Sequence, residues 1–105
     1  MNNARKSCPT AEPDVTCAVQ SLRALSHPLR LKILCVLSGP EMTAGAILER
    51  VGTSQSNVSQ HLRRMLDSDL LTTRRDGNLV FYRLGNPKLL PLIEMLDDLY
   101  GLHCA

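Results

Sequence analysis

Two sets of residues in this chain have types and spacings that do chemistry. The first lies in Ser54 to Leu84, SQSNVSQHLRRMLDSDLLTTRRDGNLVFYRL. At about 100° per residue, Val58, Leu62, Met65 and Leu66 fall on one side of a helix that Ser54 would cap. The other side presents Ser56, Asn57, Gln60, Arg63 and Arg64, with Gln55 and Ser59 at its edges. Ser, Asn and Gln hydrogen-bond to phosphates or base edges, Asn and Gln pair well with adenine, and Arg forks onto guanine or a phosphate. The helix N-terminus at Ser54 adds outward N–H groups and partial positive charge, which favour phosphate. Arg74 and Arg75, beside the next turn, are placed to reach DNA backbone or minor groove. A solvated polar face explains the helix equally well by itself. The short helix before it and the basic hairpin after it favour double-stranded DNA. His61 borders the apolar side and reads as a packing residue.

The second set is the four cysteines, Cys8, Cys17, Cys35 and Cys104. No apolar h-region opens the chain, so a secretory signal is not expected, and no apolar run approaches the ~20 residues of a membrane span. A cytoplasmic protein in a reducing compartment follows, where cysteines are thiols, metal ligands or redox sensors more often than structural disulfides. Cys35 also has a plain reading as a small core hydrophobe. Cys8, Cys17, His103 and Cys104 form a weak alternative set for a soft metal ion or arsenite, since none of them has tight ligand spacing.

The elements that must hold these residues can be read in order. Residues 1–12 form a polar tail, and residues 13–105 one domain. A first helix starts near Pro13-Asp14 and carries Val15, Ala18, Val19, Leu22 and Leu25 at helical spacing. Ser26 is the expected cap of a second helix, with Pro28 in its first turn and Gly39-Pro40 as its stop. Leu29, Ile33, Val36 and Leu37 share one face of that helix and Leu31 and Cys35 another, so it should be central and Cys35 buried. Thr43 caps a short third helix that Gly52 ends. With the Ser54 helix it makes a helix-turn-helix. Leu70–Arg75 and Leu79–Leu84 flank Asp76-Gly77, a strong hairpin signal. Asn86-Pro87 opens a last helix with Leu89, Leu92, Ile93, Leu96, Leu99 and Tyr100 on one stripe. Pro91 implies a kink or a late start. The fold class is therefore mainly α with a β-hairpin wing.

Composition agrees. The chain has 105 residues, 44% of them hydrophobic, and its only aromatics are Phe81, Tyr82 and Tyr100. Residues 54–83 carry five arginines against three aspartates. Residues 85–105 carry Lys88 against Glu94, Asp97 and Asp98, so the basic excess sits on the helix and hairpin. Without a Cys-x-x-Cys, a strand–helix alternation or a glycine-rich nucleotide loop, an enzyme such as a thiol oxidoreductase is not expected. An architectural DNA-binding protein without a ligand explains the helix and hairpin but leaves Cys35 and Cys104 without a role.

Leu25-Ser26-His27-Pro28-Leu29-Arg30-Leu31, Ser54-Gln55-Ser56-Asn57-Val58-Ser59-Gln60-His61-Leu62, Arg74-Arg75-Asp76-Gly77 and Val80-Phe81-Tyr82-Arg83-Leu84 resemble the ArsR/SmtB family of bacterial winged-helix repressors, over about residues 15–100. The resemblance implies a homodimer built on the first and last helices that releases a palindromic operator on sensing a metal ion, a reactive sulfur or an oxidant. The stripe of the last helix independently favours a partner helix. Two family metal sites are absent. The last helix has no histidine before His103, and Thr43 and Gly45 stand where soft-metal members carry thiolates. Cys35 instead matches one cysteine of the reactive pair in the BigR/SqrR-like and HlyU-like branch. The second cysteine of that branch falls by spacing at Gly101, with Cys104 three residues on, on the same face if the helix continues. The implied function is a repressor that leaves DNA when Cys35 and Cys104 react with persulfide or oxidant. It needs no cofactor; arsenite or a soft metal ion is the alternative inducer.

Overall fold

The computed structural model describes residues 15–102 and 104. The polar tail and the helix start at Pro13-Asp14 lie outside the described residues. The chain runs α1 (Val15–Leu25), α2 (Pro28–Val36), β1 (Met42–Thr43), α3 (Ala44–Val51), α4 (Gln55–Asp67), β2 (Leu71–Asp76), β3 (Leu79–Leu84) and α5 (Leu89–Tyr100).

Helix α2 is the hub. Ile33, Leu34, Cys35 and Leu37 are buried, and Ile33 and Leu34 join Ile47, Val51, Val58, Leu62, Met65, Leu70, Leu71 and Ile93 in a single core. That centrality and the burial of Cys35 follow from apolar residues on two faces of one short helix. Its boundaries differ from expectation. Ser26 Oγ donates to the Arg23 carbonyl and so closes α1, while His27 caps α2 by accepting from the Leu29 N–H through Nδ1. A ring nitrogen reaches the free N–H as well as a hydroxyl does. Helix α2 also ends before Gly39-Pro40: Leu37 is its C-cap, and Ser38 Oγ donates to the Cys35 carbonyl.

Thr43 caps α3 by accepting from the Ala46 N–H, and Ser54 caps α4 by accepting from the Asn57 N–H. Thr43 also belongs to β1, an element absent from the sequence reading. Met42 pairs with Tyr82 and Thr43 with Phe81, giving an antiparallel sheet in the order β1-β3-β2. The hairpin register places Asp76 opposite Leu79, so the two turn residues are Gly77-Asn78, one position beyond Asp76-Gly77.

Helix α5 starts late, as Pro91 requires. Pro91 is its third residue, where a missing N–H leaves no intrahelical bond unmade. Its stripe divides. Ile93 is buried, while Leu92, Met95, Leu99 and Tyr100 are exposed, together with Val15, Val19 and Leu22 of α1. The helix stops at Tyr100. Gly101 takes φ 62, ψ 50 and donates its N–H to the Asp97 carbonyl at 2.8 Å, so the helix does not continue to Cys104.

Candidate DNA-reading face and thiol pair

Helix α4 turns Val58, Leu62 and Met65 into the core, so its other face must meet solvent. Ser54, Gln55, Ser56, Asn57, Ser59, Gln60, Arg63 and Arg64 are all exposed there. Asn57 Nδ2 donates to Thr53 Oγ1, which fixes one polar side chain at the first turn. The face combines an open helix N-terminus, neutral hydrogen-bonding groups and, one to two turns on, two cations.

The two wing arginines are not equivalent. Arg74 lies opposite Phe81 and Arg75 opposite Val80, on different faces of the sheet. The Arg74 guanidinium stacks on the Phe81 ring at 4.7 Å, and its Nε donates to Glu41 Oε2 at 2.6 Å. It also ion-pairs with Glu41 and stands 3.9 Å from Asp76. The Arg74 hydrogen bond holds the Glu41 carboxyl below its ordinary value and raises the guanidinium in turn. Glu41 immediately precedes β1, so Arg74 straps the outer strand β2 across β3 to the segment that opens α3. Arg75 is exposed, and no ion pair ties it down among the described residues. The Glu41–Arg74 pair spans 33 residues of sequence, and no local pattern announces it.

His61 is half-buried, with its ring 4.4 Å from the His27 ring, and its Nδ1 has no hydrogen-bond partner among the described residues. Burial, then the nearby charge of His27, Arg30 and Arg64, lowers its pKa below the usual 6.5. Its packing role matches the expectation for a residue bordering the apolar face.

Cys35 and Cys104 are joined as a disulfide, with Cα atoms 4.8 Å apart across 69 residues of sequence. The route differs from a continued helix. The left-handed Gly101 turns the chain back, and Cys104 packs against the core next to α2. Cys8 and His103 lie outside the described residues, and only the backbone position of Cys17 in α1 is described. Among the described residues, no group of three or more His, Cys, Asp or Glu side chains is arranged to hold a metal ion.

A helix-turn-helix followed by a strapped hairpin defines a winged-helix DNA-binding protein. Residues 25–74 match the family described as a helix-turn-helix domain. Nodulation protein NolR of Rhizobium meliloti is 38% identical over 93 residues, covering 89% of this chain and 76% of that protein. The solved structure of HlyU from Vibrio cholerae superposes with TM-score 0.74 at 38% identity, over 80% of this chain and 91% of that one. The transcriptional repressor BigR from Xylella fastidiosa gives TM-score 0.74 at 32% identity, over 79% and 85%. The chain belongs to the ArsR/SmtB family of winged-helix regulators. It is a DNA-binding transcriptional regulator and not an enzyme. No helix among the described residues is long and apolar enough to cross a membrane.

Proposed function

We propose that the protein is a homodimeric repressor that leaves its operator when Cys35 and Cys104 become joined by reaction with a persulfide or another oxidant. The observation that supports this most is the meeting of two cysteines 69 residues apart, one in the core helix α2 and one just beyond α5. A bond there couples the core to the helix that carries the exposed apolar face.

Dimerisation through α1 and α5 is favoured by that face. Seven of the eight large exposed hydrophobic residues among those described lie on these helices: Val15, Val19, Leu22, Leu92, Met95, Leu99 and Tyr100. Each such side chain gains about 1.5–3 kcal/mol on full burial, so a second copy of the same face is a strong partner. In the dimer two α4 helices enter successive major grooves, about 34–36 Å apart. Arg75 makes the wing's phosphate contact, and Arg74 sets the wing's angle through Glu41. Moving α5 relative to α2 changes the spacing of the two α4 helices and weakens a two-site contact without altering either reading face.

Relatives support the regulatory chemistry. BigR is a transcriptional repressor, and one solved structure of the Vibrio cholerae regulator is of reduced HlyU, 38% identical with TM-score 0.73. The test uses DNA that the reduced protein selects from a random-sequence pool. Reduced protein should bind paired half-sites, and persulfide should release it. Cys35→Ser should bind DNA normally and resist release. Release that persists in Cys35→Ser removes the thiol-pair reading. Bound metal with both thiols free would transfer the sensing role to a soft-metal site, as befits a relative that is a probable mercury resistance operon repressor, 36% identical over 107 residues.

A further inference from the structure

The two sulfurs of the pair meet different surroundings. Cys35 is 7% exposed and sits among the core side chains of α2. Cys104 is only half-buried and forms part of the wall of a cleft of ≈ 350 Å³. The loop after α2 makes one side of that cleft, and Arg50, Glu94 and Asp97 contribute charge of both signs. Cys35 is not among its lining residues. A volume near 350 Å³ is at the small end of ligand clefts, about 300–1,000 Å³, and suits a donor of amino-acid size. Mixed charge suits a molecule that carries both an ammonium and a carboxylate.

Building on the sensing function proposed above, we propose that this cleft is the donor site, that it takes a small amino-acid persulfide, and that Cys104 is the entry thiol with Cys35 as the resolving thiol. The Cys104 thiolate attacks the outer sulfur of the donor R–S–SH. The new bond gives Cys104–S–SH, and the donor's S–S bond breaks with the electron pair leaving on R–S⁻. The Cys35 thiolate then attacks the inner sulfur of that persulfide. This forms the Cys35–Cys104 disulfide and expels hydrosulfide, HS⁻. Two protein thiols are oxidised by two electrons, and one sulfane sulfur is reduced to sulfide. The order follows from access: a thiol reacts in proportion to its thiolate fraction and its exposure, and a donor in the cleft touches Cys104 without disturbing the core.

The test uses the full chain with Cys8→Ser and Cys17→Ser, so that only the pair remains. The reduced parent is mixed with cysteine persulfide, quenched at short times with an alkylating agent, and mapped by peptide mass. The first adduct, about 32 Da, should lie on the Cys104 peptide, before any crosslink. Adding Cys35→Ser should trap that persulfide at close to the parental rate. Adding Cys104→Ser should slow adduct formation at Cys35 roughly tenfold or more. A first adduct on Cys35, or equal rates in the two variants, overturns the order while leaving the sensing function intact. A parent that neither crosslinks nor releases DNA overturns both. Mapping the parent needs neither substitution, so the result does not depend on the stability of the variants.

Discussion

Gly101→Ala is the sharpest probe of how Cys104 reaches Cys35. Gly101 holds φ 62, ψ 50 at the end of α5. A Cβ added there meets no atom within 4 Å, so the substitution creates no clash with a neighbour. What remains is the intrinsic cost of a left-handed L-residue, about 1–2 kcal/mol. The disulfide form requires that turn. In the dithiol form nothing joins Cys104 to α2, and the last residues are free to leave it. The cost therefore falls on the oxidised state. With 30 mV corresponding to about 1.4 kcal/mol for a two-electron couple, the reduction potential should rise by roughly 20–45 mV. In equilibrium terms the disulfide becomes about 5–30-fold easier to reduce. Titration in glutathione buffers, read by thiol alkylation and mass, measures this directly. Gly101→Asn should recover part of the loss, since Asn enters the left-handed region more readily than Ala. A potential within about 5 mV of the parent, with only thermal stability reduced, would show that the turn is equally populated without the disulfide and does not guide the pairing.

Other perturbations separate the remaining roles. Arg75→Ala should lower the slope of log affinity against log salt by about 0.9, the mark of one lost phosphate contact. Arg74→Ala should weaken binding with that slope nearly unchanged, and Glu41→Gln should resemble it; equal slope changes at Arg74 and Arg75 would contradict their separate assignments. Arg64→Ala should cost about 1–3 kcal/mol of DNA affinity if its guanidinium reads a base edge, measured at matched salt. Leu99→Asp should yield monomers by sedimentation and lose cooperative binding to paired half-sites, whereas an unchanged dimer would exclude the α5 face. His61 has a folded pKa below 6.5 because burial disfavours its charge. The unfolded chain therefore takes up the proton first, so stability is greatest above about pH 6.5 and declines as pH falls from there through the lowered folded value. His61→Gln should flatten that decline in denaturant titrations.

The helices and hairpin were legible because each carries its own local signal. Ser54 and Thr43 cap the helices they were expected to cap, and the apolar spacing of α4 set its reading face before any coordinates. Signals that compete within a few residues were harder. Ser26 and His27 stand side by side before α2, and which one caps it depends on whether Ser26 is already engaged by the Arg23 carbonyl. Strand β1 is two residues long and owes its existence to Tyr82 and Phe81, about forty positions away. The Glu41–Arg74 strap is equally non-local. Gly101 was visible as a helix breaker, but its handedness decides where Cys104 goes, and composition does not encode that direction.

Strand β1 runs into α3 with no intervening residue, because Thr43 is both the last strand residue and the helix cap. The hairpin and the first helix of the helix-turn-helix are thereby hinged on a single amino acid whose backbone is pinned by the sheet and whose hydroxyl is pinned by the Ala46 N–H. Such a joint has almost no slack. The wing and the helix pair form one stiff tool, and a tool of that kind is carried to or from its work rather than reshaped by it. Variation in operator preference can accumulate on α4 and the wing tip without retuning the switch, and the switch can adopt new chemistry without blunting the tool.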